Sequence, residues 1–150
     1  MKRLTYPLLA MSFVLFLISG CANSATRYSM DPGEGVYSFT HETTKDQAST
    51  FYLAEEWLAS GIRNANDAIT MRRLETGTLI ANSSITVPVV GVSFWLSYTL
   101  KITCSDNQIN TLFTTGKLHN GAYPPRDAMP GIEEDFRLLS YSLKKYIEEN

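Results

Sequence analysis

Cys21 is the residue in this sequence with the most definite chemistry. It closes the run Ile18-Ser19-Gly20-Cys21, an apolar residue and two small ones ahead of a thiol. That is the pattern of a lipobox, in which the thiol takes a diacylglycerol through a thioether and the chain is cut before the cysteine. Small side chains at 19 and 20 leave the backbone open to the transferase and the peptidase. The preceding residues agree. Lys2 and Arg3 give a positive start, and an apolar run from Leu4 to Ile18 is broken only by Thr5, Tyr6, Pro7 and Ser12. A charged start, a short apolar stretch and small residues at the cut make a signal peptide. The run is also shorter than the roughly 18–20 residues a spanning helix prefers. The alternatives are an uncleaved anchor and an ordinary signal peptide with a chance cysteine. Each buried acyl methylene contributes about 0.8 kcal/mol and a single chain holds only marginally, so the two or three chains of a bacterial lipoprotein make attachment lasting. Ala22 stands where an Asp would favour the inner membrane. Resemblance to the sorting rule of Gram-negative lipoproteins then implies, in a Gram-negative host, the outer membrane, facing the periplasm.

With Cys21 lipidated, Cys104 is the remaining thiol and has no intramolecular partner. Its place in a strand predicts a small buried residue rather than a reactive one. The two histidines, His41 and His119, lie far apart, and neither has the spacing of a metal ligand to a Cys or carboxylate. Both read as surface or strand-end residues. Glu55-Glu56 and Glu133-Glu134-Asp135 are acidic clusters on helices, explained by a solvated face and a favourable first turn. Ser83-Ser84 and Ser93 fall on strands without a nucleophile elbow. Gly33-Glu34-Gly35 follows a polar stretch rather than a strand, so it is no phosphate loop. The expectation is a non-enzyme with no cofactor and no metal. Of 13 Lys and Arg, two lie in the leader, leaving 11 against 15 acidic residues and a net charge of −4. Nucleic-acid binding, which shows as a basic patch or stripe, is not expected.

Two features are suited to binding. Trp95 stands on the polar parity of an alternating segment, with Ser93, Ser97, Thr99 and Lys101 beside it. An exposed aromatic on a Ser/Thr-rich sheet suits an envelope protein or a glycan; the plain reading is a Trp covered by the tether or a loop, or singly exposed. The second is the loop around Tyr123-Pro124-Pro125-Arg126, a contact surface or an ordinary connection. A different class of function, carriage of a small hydrophobic ligand in the periplasm, would place Phe94, Tyr98 and Phe136 around a cavity between helix and sheet.

These groups need elements to position them. Residues 1–20 read as the signal peptide, 21–33 as a flexible tether of small polar residues, and 34–150 as one domain. Val36–His41 is a short strand. Thr44 with Gln47 makes a capping box for a helix whose apolar stripe is Phe51, Ala54, Leu58 and Ile62, ended by Asn64 to Asp67. Four strands follow. Ala68–Leu74 carries Ile69 and Met71 on one parity. Glu75-Thr76-Gly77 turns into Thr78–Val89. From Val92 to Cys104 apolar and polar residues alternate strictly, the mark of a half-buried antiparallel strand. Ser105-Asp106-Asn107 turns into Gln108–Thr115. Gly116 to Gly131 reads as a long loop and Ile132 to Glu149 as a helix with the stripe Ile132, Phe136, Leu139, Leu143 and Ile147. Its first turn holds Glu133, Glu134 and Asp135, which suits the helix dipole. The order β-α-β-β-β-β-α predicts a two-layer α+β domain, one antiparallel sheet with both helices on one face.

Three stretches carry a family resemblance: the helix with Phe51, Tyr52 and Trp57, the run Glu75-Thr76-Gly77-Thr78-Leu79-Ile80-Ala81, and the run from Tyr98 to Asp106. Over about residues 35–115 the chain resembles a family of bacterial exported proteins, a domain of unknown function with a TBP-like (TATA-binding-protein-like) fold. Where that family has a Lys-Asp-Gly turn, Asp106-Asn107 stands here. The resemblance implies the TBP-like architecture and brings no activity, and DNA binding does not transfer with a fold. The function expected is that of an envelope lipoprotein binding a partner, held to the membrane by lipid on Cys21.

Overall fold

A computed structural model describes residues 35–61, 68–89 and 91–150. The signal peptide, the tether through Gly33, Ile62 in the first helix and the stop at Asn64 to Asp67 lie outside the described residues. The elements are β1 (Val36–Glu42), α1 (Gln47–Gly61), β2 (Ile69–Arg73), β3 (Thr78–Val89), β4 (Val92–Ser105), β5 (Gln108–Leu118) and α2 (Met129–Glu149), with one-turn 3-10 helices at Leu74–Thr76 and Arg126–Ala128. All five strands form one antiparallel sheet in the order β1-β5-β4-β3-β2. The expected two-layer α+β arrangement therefore stands, with α1 against β3 and β4 and α2 against β1 and β5.

Alternation in β4 decides which face is inside. Leu96, Tyr98, Leu100, Ile102 and Cys104 are buried, while Trp95, Ser97 and Lys101 are exposed. On the inner face Leu79 and Ala81 of β3 and Ile109 and Phe113 of β5 continue the layer, and Phe51, Ala54 and Leu58 of α1 close over it. Burial of Cys104 pushes its thiol up to about 12, so it stays protonated and inert at neutral pH.

Several boundaries differ from expectation, each for a local reason. The helix cap at α1 is Asp46, not Thr44: the Asp46 Oδ1 accepts the Ser49 N–H at 2.8 Å, the bond an N-cap side chain makes. Gln47 instead donates its N–H to the Asp106 carboxylate at 3.0 Å, tying the start of α1 to the β4–β5 turn. In that turn Asn107 has φ 62°, and asparagine is among the few residues other than glycine that tolerate it. A β-bulge in β2 separates Ile69, opposite Ala81, from Met71, opposite Ile80. The extra residue flips the alternation, so Ile69 is buried and Met71 faces the other side.

The long loop is shorter than read. β5 continues to Leu118, and α2 begins at Met129, with Pro130 and Gly131 inside its first turn. Proline is tolerated there because the first-turn N–H groups have no helical partner. Glu133 to Asp135 consequently lie past the first turn. The inner line of α2 is Ile132, Phe136, Ser140, Leu143 and Ile147, while Leu139 is only partly buried at its flank.

Candidate functional site

One face of the sheet carries both helices; among the described residues nothing covers the other. Its centre is built by cross-strand pairs: Thr86 opposite Trp95, Ser84 opposite Ser97, Asn82 opposite Thr99, and Ile80 opposite Lys101. The β5 side continues with Thr114 opposite Thr99 and Leu112 opposite Lys101. Thr99 donates to the Asn82 side-chain oxygen at 2.8 Å. Trp95 is 59% exposed, and its carbonyl accepts the His119 N–H at 2.9 Å.

Between Leu96 and Tyr98 the β4–β5 register shifts, so that Leu96 faces Leu118 and Tyr98 faces Thr115. The surplus residue falls in β5 between Thr115 and Leu118, and a Cβ on Gly116 would meet only the Ser97 carbonyl oxygen within 4 Å, at 3.8 Å. A shallow, open hollow of about 560 Å³ lies there, lined by Asn82, Ser84, Ser97, Thr99, Thr114 and Gly116 among others, with no acidic or basic side chain in its lining. The hollow therefore offers hydroxyl and amide hydrogen bonds, with an apolar indole two residues along β4.

Of the residues singled out from the sequence, Trp95, Ser93, Ser97 and Lys101 share this face. Tyr123 is 44% exposed and lies under the Lys117 ammonium, 5.1 Å from its ring centre; its loop is pinned to β5 by the Leu118 N–H on the Ala122 carbonyl at 2.8 Å. Arg126 begins the 3-10 turn leading into α2 and belongs to the helix side. The residues missed were Asn82, Ser84, Thr114 and Gly116. Their strands were legible, but their assembly depends on register and on the bulge at β5.

Phe94, Tyr98 and Phe136 do not surround a cavity. Phe136 is fully buried and stacked on Phe113 at 4.5 Å, with Tyr98 at 5.0 Å and Tyr37 at 5.3 Å. Rings fill the space proposed for a ligand.

His41 is a strand-end residue, as read, but it is only part of the surface. Its Nε2 lies 2.8 Å from the Ser140 hydroxyl, which lies 2.7 Å from the Thr111 hydroxyl. Thr111 donates in turn to the Phe39 carbonyl at 3.3 Å. A histidine beside a serine suggests nucleophilic catalysis, but Ser140 is 1% exposed and cannot meet a substrate. The network satisfies buried hydroxyls where α2 crosses β1 and β5. Burial, followed by the nearby Lys144 charge and opposed by Glu148, holds the His41 imidazole below its ordinary 6.5. The folded state thus binds the proton less readily than the unfolded chain, so stability is full above about 6.5 and declines as pH falls below it. A His41→Gln variant is expected to flatten this decline, read as urea midpoints between pH 7.5 and 5.5. A slope equal to that of the parent protein would remove His41 as its source.

A family model described as a domain of unknown function (DUF4468) with TBP-like fold matches residues 40–116, just over half of the chain. Among solved structures, a TBP-like protein from Parabacteroides distasonis is 18% identical, with 57% of this chain and 56% of that one covered and a TM-score of 0.47. A DUF4468 family protein from Bacteroides ovatus is 18% identical, with 59% and 56% covered and a TM-score of 0.40. The structure of Ara h 8.0201 is 13% identical, with 79% of this chain and all of that chain covered and a TM-score of 0.47. The chain thus spans just over half the length of the two bacterial structures. None of the three likenesses carries an argument about function. No curated protein matches the chain.

Proposed function

Starting from the fact that the chain belongs to the DUF4468 family, domains of unknown function with a TBP-like fold, we propose that it is a non-enzymatic binding domain of the cell envelope, tethered by lipid on Cys21 to the outer membrane and facing the periplasm. The observation that carries this reading is the uncovered sheet face around Trp95. A solvated face of an antiparallel sheet is ordinarily polar; an indole 59% exposed beside a hollow of hydroxyl and amide groups departs from that. Tryptophan is, with tyrosine and arginine, among the residue types enriched in the side chains that dominate binding energy. The partner fitted to such a face is an envelope protein or a glycan, because both offer apolar surface edged by neutral hydrogen-bonding groups. A short tether from the lipid keeps this face close to the membrane surface, where such partners are concentrated.

A photo-crosslinking amino acid at Ser97, activated in intact cells, tests the proposal. A discrete adduct is expected, and Trp95→Ala is expected to abolish it at a cost of roughly 2 kcal/mol or more in binding while leaving the urea midpoint unchanged. In the same cells Cys21→Ser should shift the chain from the membrane to the soluble fraction. An adduct that survives Trp95→Ala would remove the face from the account. A chain that stays membrane-bound after Cys21→Ser would remove the lipid.

A further inference from the structure

Gly116 stands inside β5 without either of the usual reasons for a glycine. Positive φ belongs to Gly77, Gly91 and Gly121, so the backbone at 116 is one that other residues adopt. Nor is there crowding, since a Cβ would make one ordinary contact, 3.8 Å from the Ser97 carbonyl oxygen. Glycine inside a strand weakens it, and it marks a bulge, a tight bend or a place where a ligand comes close to the backbone. A bulge is present here, but a bulge needs glycine only where the extra residue takes a left-handed φ. Close approach by a ligand is the reason that remains.

The hollow over Gly116 indicates which ligand. Its lining comes from β3, β4 and β5, and on the β5 side the sheet continues into β1. Its volume of about 560 Å³ is that of a small-molecule site, roughly 300–1,000 Å³. It is shallow and open, which suits one unit of a chain laid across the sheet. The Thr99 hydroxyl donates to the Asn82 Oδ1 at 2.8 Å. That bond orients the carboxamide, leaving its NH2 as donor with the Thr99 oxygen as acceptor beside it. Ser84, Ser97 and Thr114 add hydroxyls, which donate and accept. No acidic or basic side chain lines the hollow, so an anionic ligand would lose hydration there with no cation to replace it. Neutral hydroxyls that both donate and accept are the match, and a sugar carries them around its whole ring.

Trp95 distinguishes a sugar from a protein. Its neighbours on this face are Thr86 opposite and Ser93 and Ser97 along β4. An aromatic that anchors a protein partner sits inside a ring of packed contacts that excludes water, and these three polar residues form no apolar collar. A pyranose ring needs the single indole. Its C–H face is apolar, and the slightly positive hydrogens meet the negative face of the π-system.

We propose that this face binds a neutral glycan chain, with one sugar ring seated over Gly116 and a neighbouring ring stacked on Trp95. The inference rests on the reading of the Trp95 face as a binding surface, and it names the ligand class. Ser97 and Trp95 lie two residues apart on one face of β4, roughly 7 Å, so units of one chain reach both.

The test is isothermal calorimetry on the full-length protein in a sugar-free detergent, with cellotetraose, mannotetraose and chitotetraose as probes and tetragalacturonate as the acidic control. At least one neutral tetrasaccharide is expected to saturate, and the acidic one is not. Trp95→Ala and Gly116→Val should each weaken binding at least ten-fold. Thr114→Val, which removes a hydroxyl at constant shape, should weaken it about two- to ten-fold, the net worth of one hydrogen bond. Gly116→Ala should keep or raise the urea midpoint, because it restricts the unfolded chain at a compatible backbone. Saturation by no neutral probe, equal binding of tetragalacturonate, undiminished binding by Gly116→Val, or a lowered midpoint for Gly116→Ala would each overturn the proposal. If no sugar binds while a photo-crosslinker at Ser97 still gives a Trp95-dependent protein adduct in cells, the glycan is wrong and the binding face stands. If neither is seen, both fall.

Discussion

Replacing Phe136 with alanine is expected to lower the unfolding free energy by about 3–5 kcal/mol, the usual cost of deleting a buried ring. Domains of this kind have about 5–15 kcal/mol in total, so the variant should be close to unfolding at growth temperature. The reason is geometric. Phe136 is fully buried in α2, parallel to Phe113 of β5 within 16° and tilted against Tyr98 of β4 and Tyr37 of β1. Truncation therefore takes one ring from three partners and leaves a void at the junction of the helix with three strands. Those strands are anchored by their own ladders and cannot close it. Phe136→Leu should recover part of the loss. Urea unfolding followed by circular dichroism gives both values, and a loss below about 1 kcal/mol for alanine would show that the rings are not packed as described.

Gly77→Ala is expected to cost about 2–6 kcal/mol, combining the strain of a left-handed backbone with that of a side chain forced into filled space. Gly77 has φ 58° and ends the 3-10 turn between β2 and β3, where its N–H bonds the Leu74 carbonyl at 3.0 Å. A Cβ at this position would be driven into the Cys104 carbonyl oxygen. The neighbouring bond from the Cys104 N–H to the Gly77 carbonyl, 2.8 Å, leaves β4 no room to retreat. Gly121 provides the comparison. It also has positive φ, 81°, but a Cβ there meets nothing within 4 Å. Gly121→Ala should therefore lose only the backbone component, about 1–2 kcal/mol. Equal losses at the two positions would refute the steric argument.

Much of the architecture was legible without coordinates. The strict alternation from Val92 onward identified the central strand and its two faces, and Glu75-Thr76-Gly77 located the turn that Gly77 makes necessary. The errors cluster where a local pattern has two readings. Thr44 and Asp46 are both good caps, and the choice fell to the residue whose neighbour Gln47 reaches Asp106 across the fold. Pro130 and Gly131 read as loop because they break helix interiors, yet a first turn accepts them. Ser140 escaped notice in the α2 stripe because it is polar; it is buried at the price of hydrogen bonds to His41 and Thr111, residues 99 and 29 positions away.

The candidate surfaces divide in the same way. Trp95 could be assigned to the polar face of β4 from the sequence alone, because a two-residue period places each side chain relative to its neighbours. The companions that make the hollow beside it, Asn82, Ser84, Thr114 and Gly116, come from strands whose register and bulge are set by pairing over long distances. Short-range periodicity and turn chemistry, then, determined the elements, their order and their inner faces. Strand register and the packing of α2 against β1 and β5 were decided only in the folded molecule, where contacts distant in the chain compete for the same surface.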